Sequence, residues 1–170
     1  MLLAVVLTGL SACGPRPTRT ISATSLESAP ATPPSHSRWH MVSNPEALRR
    51  LYQPLGRRMG LIQVRNQRDW DVLVRSAPQI GPCPDLQRGI VVGLASETGT
   101  PLHGDWPFHW NSIRVCEGAG LIEASFNSGS YFPDGMMYLE TAYVEDLSAV
   151  LVVAVDGVWY YPRAGESARR

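Results

Sequence analysis

The sequence predicts a mostly β, α+β fold: an antiparallel β-sandwich or barrel-like sheet with one or two short helices packed on it. Three observations carry this. From Gly89 onward, short apolar or alternating runs follow one another with turn residues between them and without helical periodicity in the gaps, which argues against a doubly wound α/β sheet. Asp156-Gly157 joins two such runs, and a type I′ hairpin turn needs the positive φ that these residue types tolerate. Ahead of them stand two Asn-led stretches with apolar residues at helical spacing.

In chain order, "NPEALRRLYQPLG" opens with Asn44 as cap, Pro45 at the first helical position and Glu46 in the first turn. Leu48, Leu51 and Tyr52 would be its apolar residues, and Pro54 with Gly56 would stop it. "GLIQVRN" reads as a strand over Leu61–Val64, and Asn66 caps a second helix, "QRDWDVLVRSA", whose Trp70, Leu73 and Val74 share a face until Pro78 and Gly81 end it. "GIVVGLA" from Gly89 is apolar throughout and suits burial on both faces. "WNSIRVC" alternates, with Trp110, Ser112, Arg114 and Cys116 on one side and Ile113 and Val115 on the other. "LIEASFN" from Leu121, "MMYLETAYV" from Met136, "SAVLVVAV" from Ser148 and "VWYY" from Val158 complete the strands.

Around this domain, placed at residues 38–163, the chain carries an address. Leu2 to Leu10 form an apolar run too short for a spanning helix of roughly twenty residues but of signal-peptide length. It ends in Leu10, Ser11, Ala12 and Cys13, a pattern resembling the bacterial lipobox, so residues 1–13 read as a lipoprotein signal peptide with Cys13 as the lipidated residue. The competing reading is an ordinary secretory signal with a fortuitous cysteine. Arg and Lys are absent ahead of the run, a departure from the usual positive n-region that points to a start upstream of Met1. Gly14 rather than an aspartate follows the cysteine, which by resemblance to lipoproteins of two-membrane bacteria favours the outer over the inner membrane. Residues 14–37, rich in Pro, Ser, Thr and Ala, read as a disordered tether with an end-to-end distance of roughly 25 to 30 Å, and residues 164–170 as a polar tail.

The 15 acidic and 15 basic residues cancel, which argues against a nucleic-acid partner held by counterion release. Every basic residue is arginine, so Schiff-base and Ser-Lys chemistry are excluded. Of the 3 cysteines, lipidation of Cys13 leaves the pair Cys83 and Cys116 in an oxidising compartment, and a disulfide between them is expected. It would close a loop of about 33 residues, worth roughly 3.5 to 4 kcal/mol in the chain-entropy model. A free thiol at either position and a zinc site using both thiolates are the alternatives.

The stretch "HGDWPFHW", His103 to Trp110, looks like a site. His103, Asp105 and His109 are residue types that zinc or copper accepts, but Gly104 and Pro107 break the regular strand that would align them. A metal-binding or metal-delivery function is therefore the alternative reading; the favoured one is a loop with solvated histidines, in which Trp106, Phe108 and Trp110 are candidate partner contacts if exposed, or core lids if buried. Tyr131 and Phe132, in the irregular stretch "FNSGSYFPDGMMY", are further candidate contact residues that could instead fold onto the core. The chain contains no G-x-S-x-G, H-E-x-x-H, P-loop or G-x-G-x-x-G motif, so an unrecognised hydrolase built on His109, Asp105 and a serine is the weakest reading. Asp69 and Asp71 flank Trp70 and read as solvated helix residues, not a carboxylate pair.

From Gly60 to Tyr161 the pieces "GLIQVRNQRDWDVLV", "GPCPDLQRGIVVGLAS", "ETGTPLHGDW", "NSIRV", "LIEASF", "YLETAYVEDLSAVLVVAV" and "WYY" resemble in order and character the C-terminal domain of PrcB-type protease-complex lipoproteins. The family's Thr-Gly-Gly-Tyr-like turn is replaced here by His103, Gly104, Asp105 and Trp106, a departure at the binding surface. The resemblance implies a mostly β, extracytoplasmic domain without catalytic activity or cofactor, which binds or stabilises an envelope protein such as a protease. The expectation is thus a lipid-anchored, periplasm-facing protein-binding or envelope-support module.

Overall fold

A computed structural model describes residues 21–32, 38–56, 59–97, 108–126 and 137–162. Two mostly antiparallel sheets of five strands pack face to face. The front sheet has the order β1 (Ala31–Thr32), β6 (Phe108–Cys116), β7 (Ala119–Phe126), β9 (Ala149–Val155), β10 (Val158–Tyr160). The back sheet has the order β2 (Arg38–Met41), β8 (Tyr138–Glu145), β5 (Gly89–Ser96), β4 (Met59–Val64), β3 (Tyr52–Pro54). This is the β-rich α+β sandwich the sequence predicts.

Alternation along the strands sorts the apolar residues into three layers. Between the sheets lie Leu61, Val92 and Leu94 from the back and Trp110, Ile122 and Val153 from the front. The intervening residues Ile62, Val64 and Val91 point to the outer face of the back sheet, where α2 (Pro45–Leu48) and α3 (Gln67–Ser76) cover them with Leu48, Trp70 and Leu73. Because both faces of the back sheet are covered, β5 is buried along its whole length, as its unbroken apolar run requires. On the outer face of the front sheet a third cluster gathers Leu26, Ala119, Leu121 and Val152.

The helices form where the caps place them. Asn44 Oδ1 accepts from Ala47 N, and Asn66 Oδ1 accepts from Asp69 N while Asn66 Nδ2 donates to Asp69 Oδ2. The first of these helices is shorter than its spacing predicts. It stops at Leu48, and Tyr52–Pro54 leave the helical path to pair with β4, Tyr52 opposite Ile62. An edge strand satisfies more backbone there than one further helical turn against Pro54 would.

Hairpin turns sit at Glu117-Gly118, with φ of 50° and 78°, and at Asp156-Gly157, with φ of 50° and 77°. The second is the turn expected from the Asp-Gly dipeptide. The first has the same backbone shape with a glutamate in the disfavoured position, which is why it is not legible as a turn signal.

Two irregularities shift side chains between faces. In β6 the register with β7 steps from Trp110 opposite Ala124 to Ser112 opposite Glu123, leaving Asn111 as an extra residue. This β-bulge turns Trp110 inward, on the side of Ile113, instead of outward with Ser112, Arg114 and Cys116 as strict alternation predicts. In β9 the extra residue is Leu151, between Val150 opposite Gly120 and Val152 opposite Leu121. β7 and β9 run parallel, because β8, which lies between them in sequence, belongs to the other sheet.

Part of the stretch that reads as a tether, residues 14–37, is built into the fold. α1 (Ala23–Glu27) is capped by Ser22 and places Leu26, 1% exposed, in the front sheet's outer cluster. Ala31 and Thr32 then pair with Arg114 and Ile113 as the edge strand of that sheet. One well-placed leucine and a neighbouring strand edge suffice to order a segment whose composition alone is that of a linker.

Candidate functional site

The expected disulfide is absent: Cys83 is an exposed free thiol and Cys116 a half-buried one. Cys83 follows the 3-10 turn Pro78–Ile80 on the helical side of the back sheet, within electrostatic reach of Asp71. Cys116 ends β6 and packs against the outer cluster of the front sheet. Both sheets and the core between them separate the two thiols. A bridge needs Cα atoms within about 7 Å, whereas packed sheets alone stand about 10 Å apart. Burial and the charge of Asp71 raise the Cys83 thiol above its usual range, the opposite of nucleophilic activation.

Of the stretch His103 to Trp110, residues 103–107 lie outside the described residues, so His103, Asp105 and Trp106 have no described position. Phe108 opens β6 opposite Phe126, and His109 beside it is exposed. Trp110 is 5% exposed in the inter-sheet core, with no hydrogen-bond partner for its Nε1 among the described residues. Its reading as a partner contact is thereby corrected: the Asn111 bulge delivers it to the core. Tyr131 and Phe132 also lie outside the described residues. Among the described residues no group of three His, Cys, Asp or Glu side chains is placed to hold a metal ion.

The strand ends locate those two excursions nonetheless. Ser96, the last residue of β5, pairs with Tyr138, the first of β8; Phe108, the first of β6, pairs with Phe126, the last of β7. Residues 98–107 and 127–136 therefore depart from, and return to, one end of the sandwich.

Several polar groups in the described body are committed to structure. On the front sheet's outer face, Glu123 accepts from Ser112 Oγ and from Arg114 Nη2, the latter at 3.2 Å, while Arg114 Nη1 donates to the Glu27 carbonyl and so fastens the N-terminal segment. His40 is buried, with Nε2 3.4 Å from Thr141 Oγ1. Asp69 and Asp71, expected to be solvated helix residues, accept from Asn66 and Gln67 on the exposed face of α3. An open cleft of about 590 Å³ at the far end of the sandwich is lined by Arg65, Arg88, Asp146 and Ser148. Arg65 donates to Gln63 Oε1 at 2.6 Å, and Arg88 pairs with Glu145 at 3.6 Å.

Tyr52 titrates well away from its ordinary value. Burial, reinforced by Glu97 and opposed by Arg49, pushes its phenol up to about 12. The ring occupies the space that a side chain on Gly60 would need. Its perturbation follows from packing and identifies no reacting group.

Among the described residues, the far edge of the front sheet is left uncovered: β10 pairs only with β9, and Val158, Trp159 and Tyr161 are 54%, 39% and 66% exposed. Of this stretch, Tyr160 packs against the inter-sheet core. Alternation puts Trp159, opposite Ala154, on the outer face.

Comparison of the chain with family models, with curated proteins and with solved structures found no match. Among the described residues no helix is long and apolar enough to cross a membrane.

Proposed function

We propose that this chain is a lipid-anchored extracytoplasmic module that binds or supports another envelope protein without catalysing a reaction. The anchor is Cys13, the end of the lipobox-like Leu10-Ser11-Ala12-Cys13, with the bacterial cell envelope as its location and the outer membrane favoured. The observation that carries the binding reading is the common origin of residues 98–107 and 127–136 at one end of a rigid sandwich. The segments whose sequences hold Trp106, Tyr131 and Phe132 join neighbouring strand ends, the arrangement by which scaffolds present contact residues. The resemblance to PrcB-type lipoproteins agrees in kind, with a protease as the partner class.

Incorporation of labelled palmitate, lost in Cys13→Ser, tests the anchor. Crosslinking in the envelope of the producing cell followed by affinity capture tests the binding. One protein should be enriched with the parent chain and lost with Trp106→Ala or with Tyr131→Ala/Phe132→Ala. Identical capture profiles for all three chains would defeat the assignment of that end as the contact surface.

A further inference from the structure

We infer that the outer face of the front sheet at β10 is a lipid-facing surface, with Trp159 and Tyr161 seated among headgroups, so that the anchored domain lies against the membrane instead of floating above it. The inference rests on the reading of Cys13 as the lipid anchor.

Its first support is chain length. Were residues 14–37 a free tether, the domain would have no fixed orientation. Leu26, Arg114 and the pairing of Ala31 and Thr32 with β6 instead fasten the segment from Ile21 onward to the domain. Eight peptide steps then separate Cys13 from Ile21, a reach of at most about 29 Å. The lipid is thereby held close to α1, which lies over β6 and β7 on the outer face of the front sheet.

The second support is what else that face carries. β10 is two strands from β7, roughly 10 Å across the sheet at the usual strand spacing. Trp159 points to the same outer face, and Tyr161 and Val158 beside it are exposed. Trp and Tyr are the side chains enriched at membrane interfaces, where an apolar ring and a polar tip meet both media.

The third is charge. The overall charge is zero, yet the segments that adjoin Ile21 and Pro162 in sequence are both basic. Residues 14–20 hold Arg16 and Arg19 with no acid, and residues 163–170 hold Arg163, Arg169 and Arg170 against Glu166 alone. Arginines next to a lipid anchor are attracted to an anionic headgroup layer, and a second, weaker membrane contact adds to the first.

The test uses the full chain purified from the membranes of its bacterial host and reconstituted into vesicles of phosphatidylethanolamine and phosphatidylglycerol, some with brominated acyl chains. Mass spectrometry of the peptide containing Cys13 reports acylation in the same preparation. The expected result is an acylated peptide and quenching of tryptophan emission by the brominated lipid. Most of that quenching should be lost in Trp159→Phe, and it should be weakened in Tyr161→Ser and in vesicles of phosphatidylcholine alone. An acylated chain quenched equally in parent and Trp159→Phe overturns the surface and leaves the anchor standing. An unacylated Cys13 overturns the anchor; Trp159-dependent quenching in that chain still supports the surface, and its absence overturns both.

Discussion

Gln63 Oε1 accepts a hydrogen bond from Val150 N at 3.0 Å, a side-chain bridge from the back sheet to the backbone of the front sheet. The bridge answers a specific need. The β9 bulge at Leu151 breaks the ladder between β9 and β7 beside Val150. Gln63, on the inner face of β4, meets this with its carbonyl oxygen, to which Arg65 Nη2 also donates at 2.6 Å, while its amide nitrogen donates to Gln53 Oε1 at 3.1 Å. Gln63→Leu, of similar size, removes every one of these bonds. The expected loss is about 1 to 3 kcal/mol, the cost of a partly buried amide left without its acceptor, read as a lower midpoint in urea unfolding with an unchanged slope.

The N-terminal segment offers a second measurement. Leu26→Ala empties a fully buried position between Ala119, Leu121 and Val152. It should lower stability by about 2 to 3 kcal/mol, at the low end for buried leucines because the segment can shift. Limited proteolysis should then cut between Ile21 and Thr32 at concentrations that leave the parent intact. A tether without contacts would show no change in either readout.

Trp110→Ala distinguishes a core residue from a contact residue. A core position predicts a loss of about 3 to 5 kcal/mol. Trp110→Phe should recover most of it, because the indole Nε1 has no partner among the described residues to lose. Thermal unfolding of the two variants beside the parent is sufficient.

Tyr52 predicts how the fold responds to alkali. Its phenol ionises at about 12 in the folded chain against 10.0 ordinarily, so the folded state retains a proton that the unfolded state has released. The stability associated with the neutral phenol is complete below pH 10 and falls as pH rises through that window toward 12. Spectrophotometric titration should show a phenol titrating near 12 that is missing in Tyr52→Phe, while the raised phenol of Tyr143 is kept in both chains, and the stability of that variant should fall less steeply over the same range.

Reduction should leave the unfolding midpoint where it is, since Cys83 and Cys116 are not joined. Alkylation of the native chain should label Cys83 quickly and Cys116 slowly, in keeping with their exposure. A shift of the midpoint with reductant would restore the bridge.

How much of this was legible depends on whether a feature is local. The caps Asn44 and Asn66, the Asp156-Gly157 hairpin and the buried run of β5 are written in neighbouring residues, and each was readable. Trp110 was not, because its face depends on an extra residue, Asn111, that only the pairing with β7 makes extra. The docking of Leu26 was hidden for a related reason: a lone leucine in a Ser- and Pro-rich stretch carries no period, and its pocket is assembled from β7 and β9, some hundred residues on. The cysteine pairing failed because counting thiols says nothing of which side of a sandwich each occupies. For the candidate contact surface, residue types were readable in advance, whereas the origin of both excursions at one end required the registers Ser96–Tyr138 and Phe108–Phe126.

The passage of β8 through the other sheet has a consequence for how this chain acquires its structure. The strands of the two sheets are interleaved in the sequence, and the backbone crosses from sheet to sheet four times: after β1, β5, β7 and β8. Neither sheet is a contiguous module that could form early and wait for the other. The parallel pairing of β9 with β7 must close over β8, which makes the contact order high and the folding slow. It also predicts that the two sheets unfold together, in a single transition.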